Sequence, residues 1–261
     1  MTDTQKVLSF AVELGDILLR NGAEVYRVED SVLAILNSYD ITDCDVYVLS
    51  NGIFASADEV TEHASSMIRH VPMYPMHLAR IAALNSLCRE VCAKNISIED
   101  AWVKLAEYKK LPGYNLPVMI LATGIGCGGF AYLFGGTALD GVIATIVGCL
   151  LRIFLHFEAG MNNSKTVTNV LGSIVISVLA FAFAFTGLPI HSDKIIIGGI
   201  MPLVPGIPLT NSIRDFINSD YLSGSIRLID ALLTAFCIAV GVGIVITIVQ
   251  ICGGGAFLYV R

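Results

Sequence analysis

Of 261 residues, 55% are hydrophobic and only 15% charged, with a mean hydropathy of +0.73. An ordinary soluble domain is about 25% charged. The net charge of −6 belongs entirely to residues 1–116, which hold 10 Lys+Arg against 16 Asp+Glu, whereas 117–261 hold 6 of each. That balance argues against a nucleic-acid partner, because phosphates call for basic surfaces.

In chain order, residues 4–20 read as an amphipathic helix with Val7, Ala11, Leu14 and Leu18 on one stripe. Asn21-Gly22 ends it, and a second helix places Val25, Val28, Val32, Ile35 and Leu36 on one face. Segments 44–50 and 53–57 flank Asn51-Gly52, the favoured pair for a tight hairpin turn, and a third strand is expected near 66–71. Helix 76–93 buries Ile81, Leu84, Cys88 and Val91. Ser97 with Asp100 three residues on marks a capping box opening a helix to about 109, and Pro112-Gly113 breaks it. Residues 1–113 thus form a small α+β domain. No basic n-region with an apolar core precedes it, so it is expected to stay in the cytoplasm.

Residues 114–261 read as a transmembrane domain of five helices at about 117–135, 138–157, 169–188, 195–211 and 229–251. Each is near the roughly 20 residues that a span needs. The fold class is therefore an α-helical membrane protein with about five spans after a small cytoplasmic α+β domain. Lys and Arg concentrate on one side: Lys109, Lys110, Arg152, Lys165, Arg214 and Arg227 against Lys194 and Arg261. This places the N-terminus on the cytoplasmic side of the plasma (cell inner) membrane and the C-terminus outside.

The fourth span carries Pro202, Pro205 and Pro208 at i, i+3 and i+6, nearly one helix face, with Gly206 among them. Proline removes a helical hydrogen bond and clashes with the preceding turn. In lipid the freed groups need partners, so irregular backbone is tolerated where it is buried in protein or lines a wet cavity. Interrupted spans of this kind often mark transporter binding sites. Alternatively, the segment is a kinked structural helix. At its inner end, Arg214 has the fork that grips a carboxylate, with Thr210, Asn211 and Asp215 beside it. The competing reading there is a solvated helix end.

Asp140, Arg152 and Asp230 are candidates for ion coupling, as ionisable groups at or within spans. Asp140 and Arg152 lie about 18 Å apart along one helix, too far to pair directly. For Asp140 and Asp230, interfacial or capping carboxylates are the competing reading. Glycines 124, 126, 128, 129, 198, 199, 241 and 243 suit close helix contacts. Seven cysteines, with no C-x-x-C, read as reduced thiols, and no metal site or cofactor is expected. No phosphate loop, G-x-S-x-G or H-E-x-x-H is present, so an enzyme has little support.

Two stretches carry a family likeness. The first is Leu18-Leu-Arg-Asn-Gly-Ala-Glu-Val-Tyr-Arg-Val-Glu-Asp30. The second is Gly198-Gly-Ile-Met-Pro-Leu-Val-Pro-Gly-Ile-Pro-Leu-Thr-Asn-Ser-Ile-Arg-Asp215, continuing through Asp220-Tyr-Leu-Ser-Gly224 to Asp230-Ala231. Both resemble the threonine/serine exporter family, whose members pair a cytoplasmic domain with about ten spans, fused or split into two proteins. The chain is similar to the larger subunit of the split bacterial exporters, one of which is associated with succinate efflux. The resemblance implies proton-driven export of threonine and serine, or of a dicarboxylate. It also implies a second small membrane subunit supplying the remaining spans. Homo-oligomerisation and contact with membrane lipid are further expectations. In the first motif, Gly22 ends one helix, Glu24 opens the next, and Arg27 can pair with Asp30 or Glu24. This corner is read as structural, with regulation or an inner gate as the alternative. A membrane-anchored ligand sensor or regulatory subunit is the competing function.

Overall fold

The computed structural model describes residues 3–57, 65–72, 76–161 and 163–252. The chain divides into two units: Met1–Gly113 with Leu209–Leu228, and Tyr114–Pro208 with Ile229–Arg261. The boundary therefore falls inside two helices. Residues 209–228, read from the sequence as part of the transmembrane domain, group with the N-terminal residues.

The first unit opens with α1 (Asp3–Arg20) and α2 (Val25–Ser38). The apolar stripes read from the 3.6-residue period are the buried ones: Val7, Ala11, Leu14 and Leu18 from α1, and Val25, Val28, Val32, Ile35 and Leu36 from α2. Between the helices Gly22 takes a φ of +88°, which a side chain rarely adopts. Asn21 fixes this corner: its amide donates to the Ile17 carbonyl (2.6 Å), its side-chain oxygen accepts from Arg80 (3.4 Å), and its carbonyl accepts the His77 N–H (3.1 Å).

Strands β1 (Cys44–Leu49), β2 (Gly52–Ala57) and β3 (Ser65–His70) form an antiparallel sheet in the order β1-β2-β3. Leu49 pairs with Gly52, so the hairpin loop is Ser50-Asn51, one residue earlier than the Asn51-Gly52 turn expected from sequence. Gly52 is also paired to His70 on its other side, and the Ser50 N–H donates to Ser223 Oγ (3.1 Å). These long-range bonds outweigh the local Asn-Gly preference. Helix α3 (Leu78–Cys92) buries Leu84, Cys88 and Val91. Ser97 caps α4 (Ile98–Lys109), as the capping signal predicts, accepting the Asp100 N–H (3.1 Å) and donating its hydroxyl to the Asp100 carboxylate (2.8 Å).

The second unit contains α5 (Leu116–Leu133), α6 (Ala138–Glu158), α7 (Lys165–Ala184) and α8 (Ser192–Ile200). Two further helices cross the unit boundary, α9 (Gly206–Ile217) and α10 (Tyr221–Ile251). Among the described residues, four helices are long and apolar enough to cross a membrane, namely α5, α6 with the turn following it, α7 and α10. The fourth expected span is divided between α8 and α9, neither of which is long enough alone. Glycine sets the spacing inside the unit. A Cβ on Gly124 would come within 2.8 Å of the Thr145 carbonyl, and one on Gly198 within 2.6 Å of the Cys127 carbonyl. Gly241 likewise would meet the Val170 carbonyl at 2.6 Å. By contrast, Gly126, Gly129 and Gly243 would meet nothing within 4 Å, so only part of the glycine set serves packing.

Candidate functional site

The Gly/Pro interruption is built by its prolines. Helix α8 stops at Ile200, and residues 201–205 form a turn before α9. Pro202, Pro205 and Pro208 cannot donate to the carbonyls four residues earlier, on Gly198, Met201 and Val204. Each orphaned carbonyl is taken up locally. Gly198 accepts the Met201 N–H (3.4 Å), Met201 accepts that of Val204 (3.3 Å), and Val204 accepts that of Gly206 (2.9 Å). The three prolines therefore do not share one helix face, contrary to the i, i+3, i+6 expectation. Pro202 is in the turn, Pro205 precedes α9, and Pro208 lies in its first turn, where a missing N–H leaves no helical bond unmade. Pro205 also lines an apolar cavity of about 460 Å³ with Ile200, Val204, Ala235, Ile238 and Val242.

Pro202, Pro205, Gly206 and Pro208 fall in the second unit, and Thr210, Asn211, Arg214 and Asp215 in the first. Within the first unit, the two quoted sequence motifs meet. Glu24, at the start of α2, forms an ion pair with Arg214 of α9 and another with Arg27 (2.8 Å). At the next residue of α9, Asp215 faces Arg227 at 3.2 Å, with side chains only 2% and 9% exposed. Arg227 also donates to the Ala23 carbonyl (3.4 Å). The Gly22-Ala23-Glu24 corner is thus gripped by arginines from α9 and from the first turns of α10. Asn211 is half-buried and lines a cavity of about 140 Å³ with Gly22, Glu24, Arg27 and Asn85. At about 30 Å³ per water, this is room for a handful of waters or one small metabolite. Thr210 is exposed on the same helix.

The charges around Arg214 differ in character. Arg214 is about half exposed, so Glu24 is a partner it can exchange with little loss. Burial pushes the Asp215 carboxyl up against the opposing pull of Arg227. Burial likewise raises Glu29, helped by Asp30 and Asp220 and opposed by a hydrogen bond from the Val48 backbone. Glu29, Asp30, Asp215 and Asp220 all line a second cavity, of about 460 Å³.

The three candidates for ion coupling are not brought together. Asp140 is fully buried in a capping box with Thr137 and takes two bonds from His191, one from its N–H (2.8 Å) and one at Nδ1 (2.9 Å). Arg152 reaches the Met119 sulfur at 3.4 Å, and Asp230 pairs with Lys165 at 2.6 Å. No cluster of His, Cys, Asp and Glu able to hold a metal exists among the described residues. Two residues that the sequence did not single out as site candidates pair with ones that it did: Arg227 with Asp215, and His191 with Asp140. Arg227 carries a signal, a lone cation seven residues into a long apolar helix. His191 carries none, since its partner is 51 residues away.

Residues 9–249 match the family described as "Putative threonine/serine exporter". Over 252 residues the chain is 26% identical to the "Threonine/serine exporter" of Corynebacterium glutamicum, an alignment covering 94% of this chain and 52% of that protein. Over 243 residues it is 26% identical to the "Probable threonine/serine exporter" of Mycobacterium tuberculosis, covering 92% and 45%. The chain thus spans about half the length of these curated relatives. No solved structure matches it.

Proposed function

The chain belongs to the threonine/serine exporter family, and from that premise we propose that it forms part of a secondary active exporter of small carboxylate-bearing metabolites. Threonine and serine are the first candidates, and a dicarboxylate such as succinate the next. The observation that carries this reading is the meeting of the two family-like motifs at Glu24–Arg214. A guanidinium held by a glutamate carboxylate is a site that a substrate carboxylate can enter by exchange. Asn211 and Arg27 stand beside it, in the small cavity. Glu24 then acts as the gate residue that a substrate displaces, while the buried Asp215–Arg227 pair holds α9 and α10 in place.

Under this reading, export is driven by the proton gradient across the plasma (inner) membrane, with the N-terminus in the cytoplasm. The grouping of 209–228 with the N-terminal unit supports that topology, because it sets this connection on the N-terminal side. The Gly/Pro interruption lines the pathway. Further spans, from a second small membrane subunit, complete it. The apolar cavity beside Pro205 and the outward apolar side chains of α5 and α10 offer them a surface. The test is threonine efflux by Arg214→Gln and Glu24→Gln. Loss of efflux in the first, with a lowered KM in the second, supports the exchange. Wild-type kinetics in both refute it.

A sensor or regulatory subunit is the second reading. The 460 Å³ cavity in the first unit favours it, since Glu29, Asp30, Asp215 and Asp220 line it beside Tyr26 and Tyr47. A chain that reaches the membrane, binds threonine and moves none would bear this reading out.

A further inference from the structure

We propose that Asp140 and His191 form the proton-binding site of the exporter, an inference that rests on the proton-driven reading above. Asp140 is fully buried. Oδ1 accepts the His191 N–H at 2.8 Å, and Oδ2 accepts the Thr137 N–H at 2.7 Å, the Thr137 hydroxyl at 2.8 Å and the His191 ring at 2.9 Å. Such a carboxylate, held by four donors, does not itself take the proton. It orients the ring instead. With Nδ1–H donated to Asp140, the neutral imidazole presents Nε2 as an acceptor. The His191 side chain is 33% exposed, so the ring is not sealed inside this chain.

His191 is also the N-cap residue of α8, yet its ring caps nothing on that helix. It is spent on α6 instead. The Nδ1–H bond to the Asp140 carboxylate is charge-assisted in either state, and protonation at Nε2 adds to it the attraction between two opposite unit charges. Proton binding therefore tightens the clamp between the starts of α6 and α8, and proton loss loosens it. Helix α8 runs from this clamp to the Gly/Pro interruption, nine residues or about 13 Å away. In the topology proposed above, the clamp lies at the outer end of the spans, where an antiported proton enters.

Among the described residues, Asp140 is the charged group paired with the ring. On α8, Asp193 and Lys194 pair with each other at 3.3 Å. From α5 the titratable groups are Cys127 and Tyr132, and the Cys127 thiol bonds the Gly199 carbonyl. The only charged group of α7 is Lys165, at its far end, and on α6 Arg152, His156 and Glu158 lie about 18 Å or more along the axis from Asp140.

The experiment uses everted vesicles from cells producing the complete exporter, with labelled threonine and succinate. Two rates are read: accumulation driven by an acid lumen, and substrate-for-substrate exchange without a gradient. For one proton per substrate, a one-unit gradient supports up to about tenfold accumulation. The expected result is that His191→Gln keeps exchange within about twofold of wild type and loses accumulation. Asp193→Asn, on the same helix but paired with Lys194 rather than with the clamp, retains both activities per molecule, separating coupling from structure. His191→Gln with full accumulation overturns the site alone. Wild-type exchange that ignores the gradient overturns proton coupling, and the site with it. No exchange of either substrate by wild type overturns the exporter reading and this inference together.

Discussion

Replacing Asp215 by Asn strands Arg227 in a site where it is 7% exposed. At 3.2 Å, two unit charges attract by about 5 kcal/mol at an effective dielectric of about 20. Much of that is offset by the cost of burying both charges, the same burial that pushes the Asp215 carboxyl up against the pull of Arg227. Losing one partner is different, because the other remains desolvated without compensation, at about 3–5 kcal/mol. That is a large share of the 5–15 kcal/mol typical of a whole domain. Asp215→Asn is therefore expected to lower both the melting temperature in detergent and the abundance in membranes. Asp215→Leu with Arg227→Met removes both charges and should recover most of the loss. The exposed Lys94–Asp40 pair, at 3.9 Å, serves as the control, with an effect of about 0–1 kcal/mol. If Asp215→Asn matches that control, or the double variant is worse than the single, the pair does not hold α9 to α10 as described.

Three further outcomes are expected. Gly198→Ala should destabilise the second unit by about 1–3 kcal/mol, because its Cβ meets backbone atoms at 2.6–2.7 Å, whereas Gly126→Ala, in open space, should be neutral or stabilising; thermal shifts in detergent compare the two. Pro205→Ala should reduce efflux more than membrane abundance, since the turn's carbonyls are already served by neighbouring amides and the chain can insert without it; equal losses in flux assays and immunoblots would assign Pro205 to structure alone. Glu29, whose carboxyl is raised, keeps its proton to higher pH in the folded chain than in the unfolded one, so its stabilising effect is present at low pH and fades as pH rises through the folded value. Melting temperature should fall over that window, starting from the ordinary glutamate range near 4, and Glu29→Gln should flatten the slope and raise stability at neutral pH.

The helices of the first unit were legible because their burial is periodic. The faces of α1 and α2 follow from hydrophobic spacing alone, and Ser97 announces α4 through a bond made within one turn. The hairpin slipped by one residue because its register is fixed from outside, by His70 across β2 and by Ser223 some 170 residues away. The interruption between α8 and α9 was written in the prolines, but its consequence was not. Helix α8 ends before a proline face can form, and amides inside the turn take up the carbonyls that the prolines free. Arg214 was singled out for its chemistry, yet its partner Glu24 lies in the other motif, and spacing along a chain gives no account of such a meeting. The same limit hid His191, whose value comes only from standing against Asp140.

The most direct measurement is efflux of preloaded threonine and succinate from cells producing this chain with and without the second membrane subunit, each with wild-type Arg214 or Arg214→Gln. The account predicts efflux of at least one compound when both proteins are present, and its loss in Arg214→Gln at unchanged membrane abundance. Efflux that is absent with both proteins in the membrane, or that survives Arg214→Gln intact, would contradict it.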